Sequence, residues 1–149
     1  NFPLGDDAWT LKTFYRTNES TSIGAVSQWF SSSAKLNVPI GDWLVGWGGT
    51  VSLNSTVAGS RNGGVTLKST SLPTTNGEYA HPLCIMVYNQ SGASTASWLE
   101  NGDRSHPVRI ESEQQFTLAG QIASATGSET WATRGDRGEI VISAKCTLV

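Results

Sequence analysis

Long apolar runs are absent from this 149-residue chain, and none of its segments could cross a bilayer as a single helix. Charge is scarce as well. Lys, Arg, Asp and Glu make up 15% of the residues, against about a quarter in an average soluble domain, and the net charge is −2. That balance excludes a general basic surface for nucleic acid or anionic lipid. Histidine occurs twice, as His81 and His106, each directly ahead of a proline and neither at metal-ligand spacing from Cys or a carboxylate. No metal and no cofactor are therefore expected. Cysteine also occurs twice, as Cys84 and Cys146. A bridge between them would close a long loop and mark an oxidising compartment. In a chain with a core of its own, two buried free thiols are expected instead. Helical periodicity is missing throughout, so there is no helix for a glycine-rich phosphate loop to open.

What fills the space is Ser, Thr and 16 Gly, with 38% hydrophobic residues. These residues are weak helix formers and suit strands and turns. The length fits one domain, residues 1–149, large enough to bury a core. The chain begins with Asn rather than Met and shows no signal peptide, so it reads as a processed product or a piece of a longer protein.

Period-two alternation dominates. In "GEIVISAKCTLV" the residues Ile140, Ile142, Ala144, Cys146 and Leu148 fall on one side, and Val141, Ser143, Lys145 and Thr147 on the other. Further strands are expected at Trp9–Tyr15, Ala25–Phe30, Ala34–Val38, Trp43–Leu53, Val65–Ser69, Leu83–Tyr88, Val108–Glu111 and Phe116–Ile122. Between them lie turn clusters such as "TNEST", "VPIGD", "GSRNGG", "LPTTNGE", "ENGDRSHP" and "TRGDRGE". No repeat of fixed period divides the chain. The pattern predicts an all-β protein, an antiparallel jelly-roll β-sandwich of eight to ten strands.

The stretch "NVPIGDWLVGWGG" carries the strongest local signal. Pro39 and Gly41 fit a type I turn. The strand that follows places Trp43, Val45 and Trp47 on one face and Leu44, Gly46 and Gly48 on the other. The rings supply core mass. The glycine face allows a bend, or the close approach of a neighbouring subunit.

Nothing in the sequence marks a catalytic site. Carboxylates at Asp6, Asp7, Asp42, Glu78, Glu111 and Glu113 include no pair that stands out, and a serine nucleophile needs a base that two loop histidines do not single out. Two aromatic-bearing loops are the candidates for ligand binding. "SWLENGDRSHP" sets Trp98 near Arg104, and "ETWATRGDRGE" sets Trp131 near Arg134. A ring beside charged and amide groups suits a sugar or another polar ligand, because the ring supplies apolar area and the polar groups fix orientation. The second loop also contains Arg134-Gly135-Asp136, the tripeptide of integrin ligands, which doubles as an ordinary soluble turn. Sequons at Asn18, Asn54 and Asn89 come easily in a chain rich in Ser and Thr.

From Asn37 onward the layout is similar to a known family. "VPIGDWLVGWGGTVSL", "GGVTLKSTS", "FTLAGQIAS" and the closing "GEIVISAKCTLV" resemble successive strands in the head domains of bacteriophage tail fibres and tail needles. The resemblance implies a jelly roll like tumour-necrosis-factor-type domains, assembled as a homotrimer at the fibre tip of a virion. It implies no catalysis and contact with a host cell-surface polysaccharide or protein receptor. Residues 1–8 would be the junction to a fibrous N-terminal part. No binding residue carries over, because the loops of such heads share no motif with this chain. The residues agree with self-association: many strands and few charges leave apolar face for copies to cover, at about 25 cal/mol per Å² removed from water. A ring of three would also cover sheet edges. The alternatives are a monomeric secreted or pilus-borne lectin or adhesin, marked by a Cys84–Cys146 disulfide, and a hydrolase on the same frame.

Overall fold

The computed structural model describes residues 9–22, 29–55, 61–69, 85–89, 104–124, 129–135 and 139–147. Among these, eleven strands form three antiparallel sheets, so the all-β class is as the alternation predicts. They are β1 (Thr10–Tyr15), β2 (Glu19–Ser22), β3 (Trp29–Val38), β4 (Gly41–Gly48), β5 (Val51–Ser55), β6 (Arg61–Lys68), β7 (Ile85–Asn89), β8 (Arg104–Ile110), β9 (Gln114–Ser124), β10 (Glu129–Thr133) and β11 (Ile140–Cys146).

A front sheet has the order β1-β11-β4-β8 and a back sheet the order β3-β9-β6-β7. A small sheet, β2-β10-β5, completes the body. Its three strands come from three different crossings. The chain passes from β1 through β2 to β3, from β4 through β5 to β6, and from β9 through β10 to β11. These three crossings between front and back each leave a strand on the way, whereas the chain passes directly from β3 to β4 and from β8 to β9. Paired with one another, the three strands satisfy backbone groups that loose connections would leave to solvent.

One apolar cluster fills the interior. The front sheet contributes Trp43, Val45, Trp47, Ile140, Ile142 and Ala144. The back sheet contributes Ala34, Val38, Val65, Leu67, Phe116 and Leu118, and the small sheet adds Val51 and Trp131. Register explains the inward set on the front sheet. Trp47 stands opposite Ile142, and Val45 opposite Ala144. Tyr15 stands opposite Ile140 and Leu11 opposite Ala144. The expected faces of the β4 strand hold: Trp43, Val45 and Trp47 are buried.

Several expected boundaries move, each for a physical reason. The Trp43–Leu53 strand breaks after Gly48 and enters the small sheet as β5. Gly49 makes the break with φ +131°, and a side chain there would meet the Ile140 backbone at 2.8 Å. Ala25–Phe30 and Ala34–Val38 give one strand, β3; residues 25–28 lie outside the described residues. The intervening serines stay extended because β3 bulges there, four steps from Ser31 to Lys35 matching two on β9. Ser32 Oγ donates to the Leu118 carbonyl at 2.8 Å and accepts the Ala34 N–H at 3.2 Å, which replaces the ladder bonds that the bulge removes.

Two strands lie where none is expected, β2 in the "TNEST" turn and β10 in the "ETWATRGDRGE" loop. β8 starts at Arg104, within the expected "ENGDRSHP" turn. It is an edge strand, which is where Pro107 is tolerated. β6 starts at Arg61, within "GSRNGG", because β7 and β9 pair with it from both sides.

Candidate functional site

The four residues expected to bind a ligand do not come together as one described site. Trp98 lies outside the described residues. Arg104 opens β8 on the edge of the front sheet, opposite Trp47 in register. Trp131 is a correction: its ring is 3% exposed and belongs to the core. The reason is local. Gly120 on β9 has no side chain, and an added Cβ there would fall 2.0 Å from Trp131 Nε1. The indole occupies the space that any other residue at 120 would fill, so it is a plug between the small and back sheets rather than a surface platform.

Arg134 is half-buried, and its N–H donates to the Thr50 carbonyl at 2.9 Å. Gly135 sits flush against the chain at Arg16: a Cβ there would lie 2.0 Å from the Arg16 carbonyl oxygen. An integrin-type tripeptide needs a projecting loop, and the first two residues of this one are packed down. Asp136 lies outside the described residues.

Of the remaining chemistry-bearing residues, His106 is half-buried on β8 opposite Val45. Asp42 pairs across strands with Arg109, and Glu111 and Glu113 are exposed in the turn between β8 and β9. His81, Asp6, Asp7, Glu78 and Cys84 lie outside the described residues. Cys146 is a half-buried free thiol at the end of β11, opposite Trp43. Among the described residues, no group of three His, Cys, Asp or Glu is placed to hold a metal, and no helix is long and apolar enough to cross a membrane.

The polar cluster that the fold does build was not expected. It lies where the three sheets meet, with Tyr15 at the end of β1, Glu19 at the start of β2 and Ser33 in the bulge of β3. Glu19 Oε1 accepts the Tyr15 phenol at 2.7 Å, and Oε2 accepts the Ser33 N–H at 2.8 Å. The Ser33 hydroxyl donates to Oε1 as well, and Tyr15 Oη lies against Ser33 Oγ. On the other side, the Glu19 N–H donates to Thr133 Oγ1 at 3.0 Å, and that hydroxyl donates to the Thr17 carbonyl at 3.2 Å. Burial of the carboxylate works to raise its pKa. The hydrogen bonds from the Ser33 hydroxyl, the Ser33 N–H and the Tyr15 phenol outweigh it and hold the group below its ordinary value.

A carboxylate held low is a weak base, so this cluster has little power to activate the Ser33 hydroxyl. What it does is tie strands of all three sheets to one side chain. The sequence held one usable signal, a carboxylate among small hydroxyl residues in "TNEST"; its partners, 14 and 114 residues away for Ser33 and Thr133, had none.

No family model matches the chain, and no curated protein matches it.

Proposed function

We propose that this chain is the receptor-binding head of a trimeric phage or viral fibre or needle, a non-catalytic module that meets a host cell surface. Two features support the reading. The first is topology. Front order β1-β11-β4-β8 and back order β3-β9-β6-β7, with the chain changing sheets at nearly every step, is the interleaving expected of a jelly roll.

The second, which carries the proposal, is the outward face of the front sheet. Phe14 is 59% exposed there, opposite Val141, which in turn stands opposite Gly48. The next row along runs Lys12, Ser143, Gly46 and Ser105. The protruding phenyl ring is apolar area left for a partner to cover, and the occupants proposed are two further copies of this chain. A ring of three buries the phenyl on each protomer and closes without leaving an open filament end.

The test is the mass of the native particle by sedimentation or light scattering. The expected value is three times 15.9 kDa. A monomer at micromolar concentration overturns the proposal. For the receptor contact, Trp98 and Arg104 remain the proposed residues; Trp131 is withdrawn because it is core.

A further inference from the structure

We infer that Glu19 is an acid-releasable clasp, which holds the small-sheet strand β2 against β1 and β3 and lets go when its carboxylate is protonated. This goes beyond the trimeric head and does not depend on it. Three observations carry it.

The bulge in β3 takes Ser33 out of the regular ladder with β9, and the Ser33 N–H donates instead to Glu19 Oε2. The clasp therefore supplies an acceptor that the sheet itself does not. Second, β2 is an edge strand of four residues that pairs with β10 alone in the small sheet. So short a strand depends on its flanking contacts. Third, the carboxylate accepts from two other strands, while the backbone of the same residue donates to Thr133 on β10. One side chain thus fixes the place where the chain turns from β1 into β2.

The groups around it leave Glu19 as the one that titrates in mild acid within the clasp. From β1 the contact is the Tyr15 phenol, which donates to the carboxylate. From β3 it is Ser33 and from β10 Thr133, and neither titrates. Lys35, exposed on β3, lies two residues from Ser33. Arg16, in the turn between β1 and β2, is paired with Glu139 ahead of β11, so that carboxylate has its own cation. Arg134 follows Thr133 and keeps its charge at any pH of interest. Protonated, Glu19 keeps one good acceptor oxygen for three donors, and the Ser33 N–H is the one that the bulge cannot reassign.

The test is amide hydrogen exchange on the intact chain between pH 6 and pH 3, with rates corrected for intrinsic exchange, in wild type and Glu19→Gln. In wild type, protection of the Ser33 and β2 amides should fall at least about tenfold in acid, while β4 and β11 keep theirs. Glu19→Gln should show the low protection at both pH values. Ser33→Ala keeps the N–H and loses the hydroxyl, so it should move the midpoint of the wild-type transition to higher pH. Unchanged protection at Ser33 in wild type overturns the inference. So does an equal loss in β4 and β11, which is global unfolding, or an acid response that survives in Glu19→Gln.

Discussion

Trp47 and Trp131 are buried to nearly the same degree, 1% and 3% exposed, yet they are held in different ways. Trp47 lies in the front sheet between two paired strands, opposite Ile142 on β11 and Arg104 on β8. Trp131 lies in the small sheet, where Ala132 and Thr133 beside it are buried as well, so that both faces of the strand are covered. Its ring edge rests on Gly120, and its indole N–H is buried without a hydrogen-bond partner. The body of the molecule is thus stabilised by repetition, row upon row. The small sheet is stabilised by a few individual fits: a ring over a glycine, a kink at Gly49 and a carboxylate at Glu19. Such fits fail one at a time.

That contrast can be broken most severely at the rings. Trp47→Ala should cost about 3–5 kcal/mol and lower the urea midpoint of the whole domain. Trp131→Ala should cost a similar amount, whereas Trp131→Phe should stay within about 1 kcal/mol, because loss of volume is offset by removal of an unsatisfied N–H. If Trp131→Phe is as damaging as Trp131→Ala, the indole nitrogen has a role that its surroundings do not reveal.

A smaller effect is expected from the glycine beneath the ring. Gly120→Ala should cost about 1–3 kcal/mol by overpacking, and the cost should vanish in the Gly120→Ala, Trp131→Ala double variant. Urea unfolding of the four proteins closes the cycle, and strict additivity would show that Gly120 is needed for its backbone and not for the ring.

The pH dependence of stability is smaller again. Glu19 is held below its ordinary 4.5, so its contribution is complete above that value and is lost as the pH falls through the lower folded-state value. The urea midpoints of wild type and Glu19→Gln should therefore differ at pH 7 and converge in acid, and a constant gap between pH 7 and pH 3 would remove Glu19 from the account. Least costly to the fold are the surface changes. Phe14→Glu should leave the fold of the protomer within about 0.5 kcal/mol while converting a particle of three chains into single ones, read by light scattering. Trp98→Ala should weaken cell-surface binding with an unchanged melting temperature; a lowered one would make that ring core as well.

The body was legible and the small sheet was not. Ile140, Ile142 and Ala144 alternate with Val141 and Ser143, and Trp43, Val45 and Trp47 alternate with Leu44 and Gly46, so the buried side of β11 and β4 can be read without coordinates. In "TNEST" and "ETWAT" there is no alternation of apolar with polar, because Ser, Thr and Ala are small enough to be buried on either face. Short polar strands of this kind look like turns. The candidate site suffered in the same way: an aromatic ring flanked by polar residues signals surface only if nothing lies above it, and what lies above Trp131 is Gly120, eleven residues earlier on another sheet.

By itself the sequence determined the all-β class and which side of the regular strands faces inward, since alternation acts between residues one or two apart along the same backbone. Only the tertiary structure decided which strands share a sheet, that Trp131 is covered, and that Tyr15, Glu19, Ser33 and Thr133 meet. Those outcomes follow from contacts between different strands, 114 residues apart for Glu19 and Thr133, where the free energy lies in pairings that no local pattern encodes.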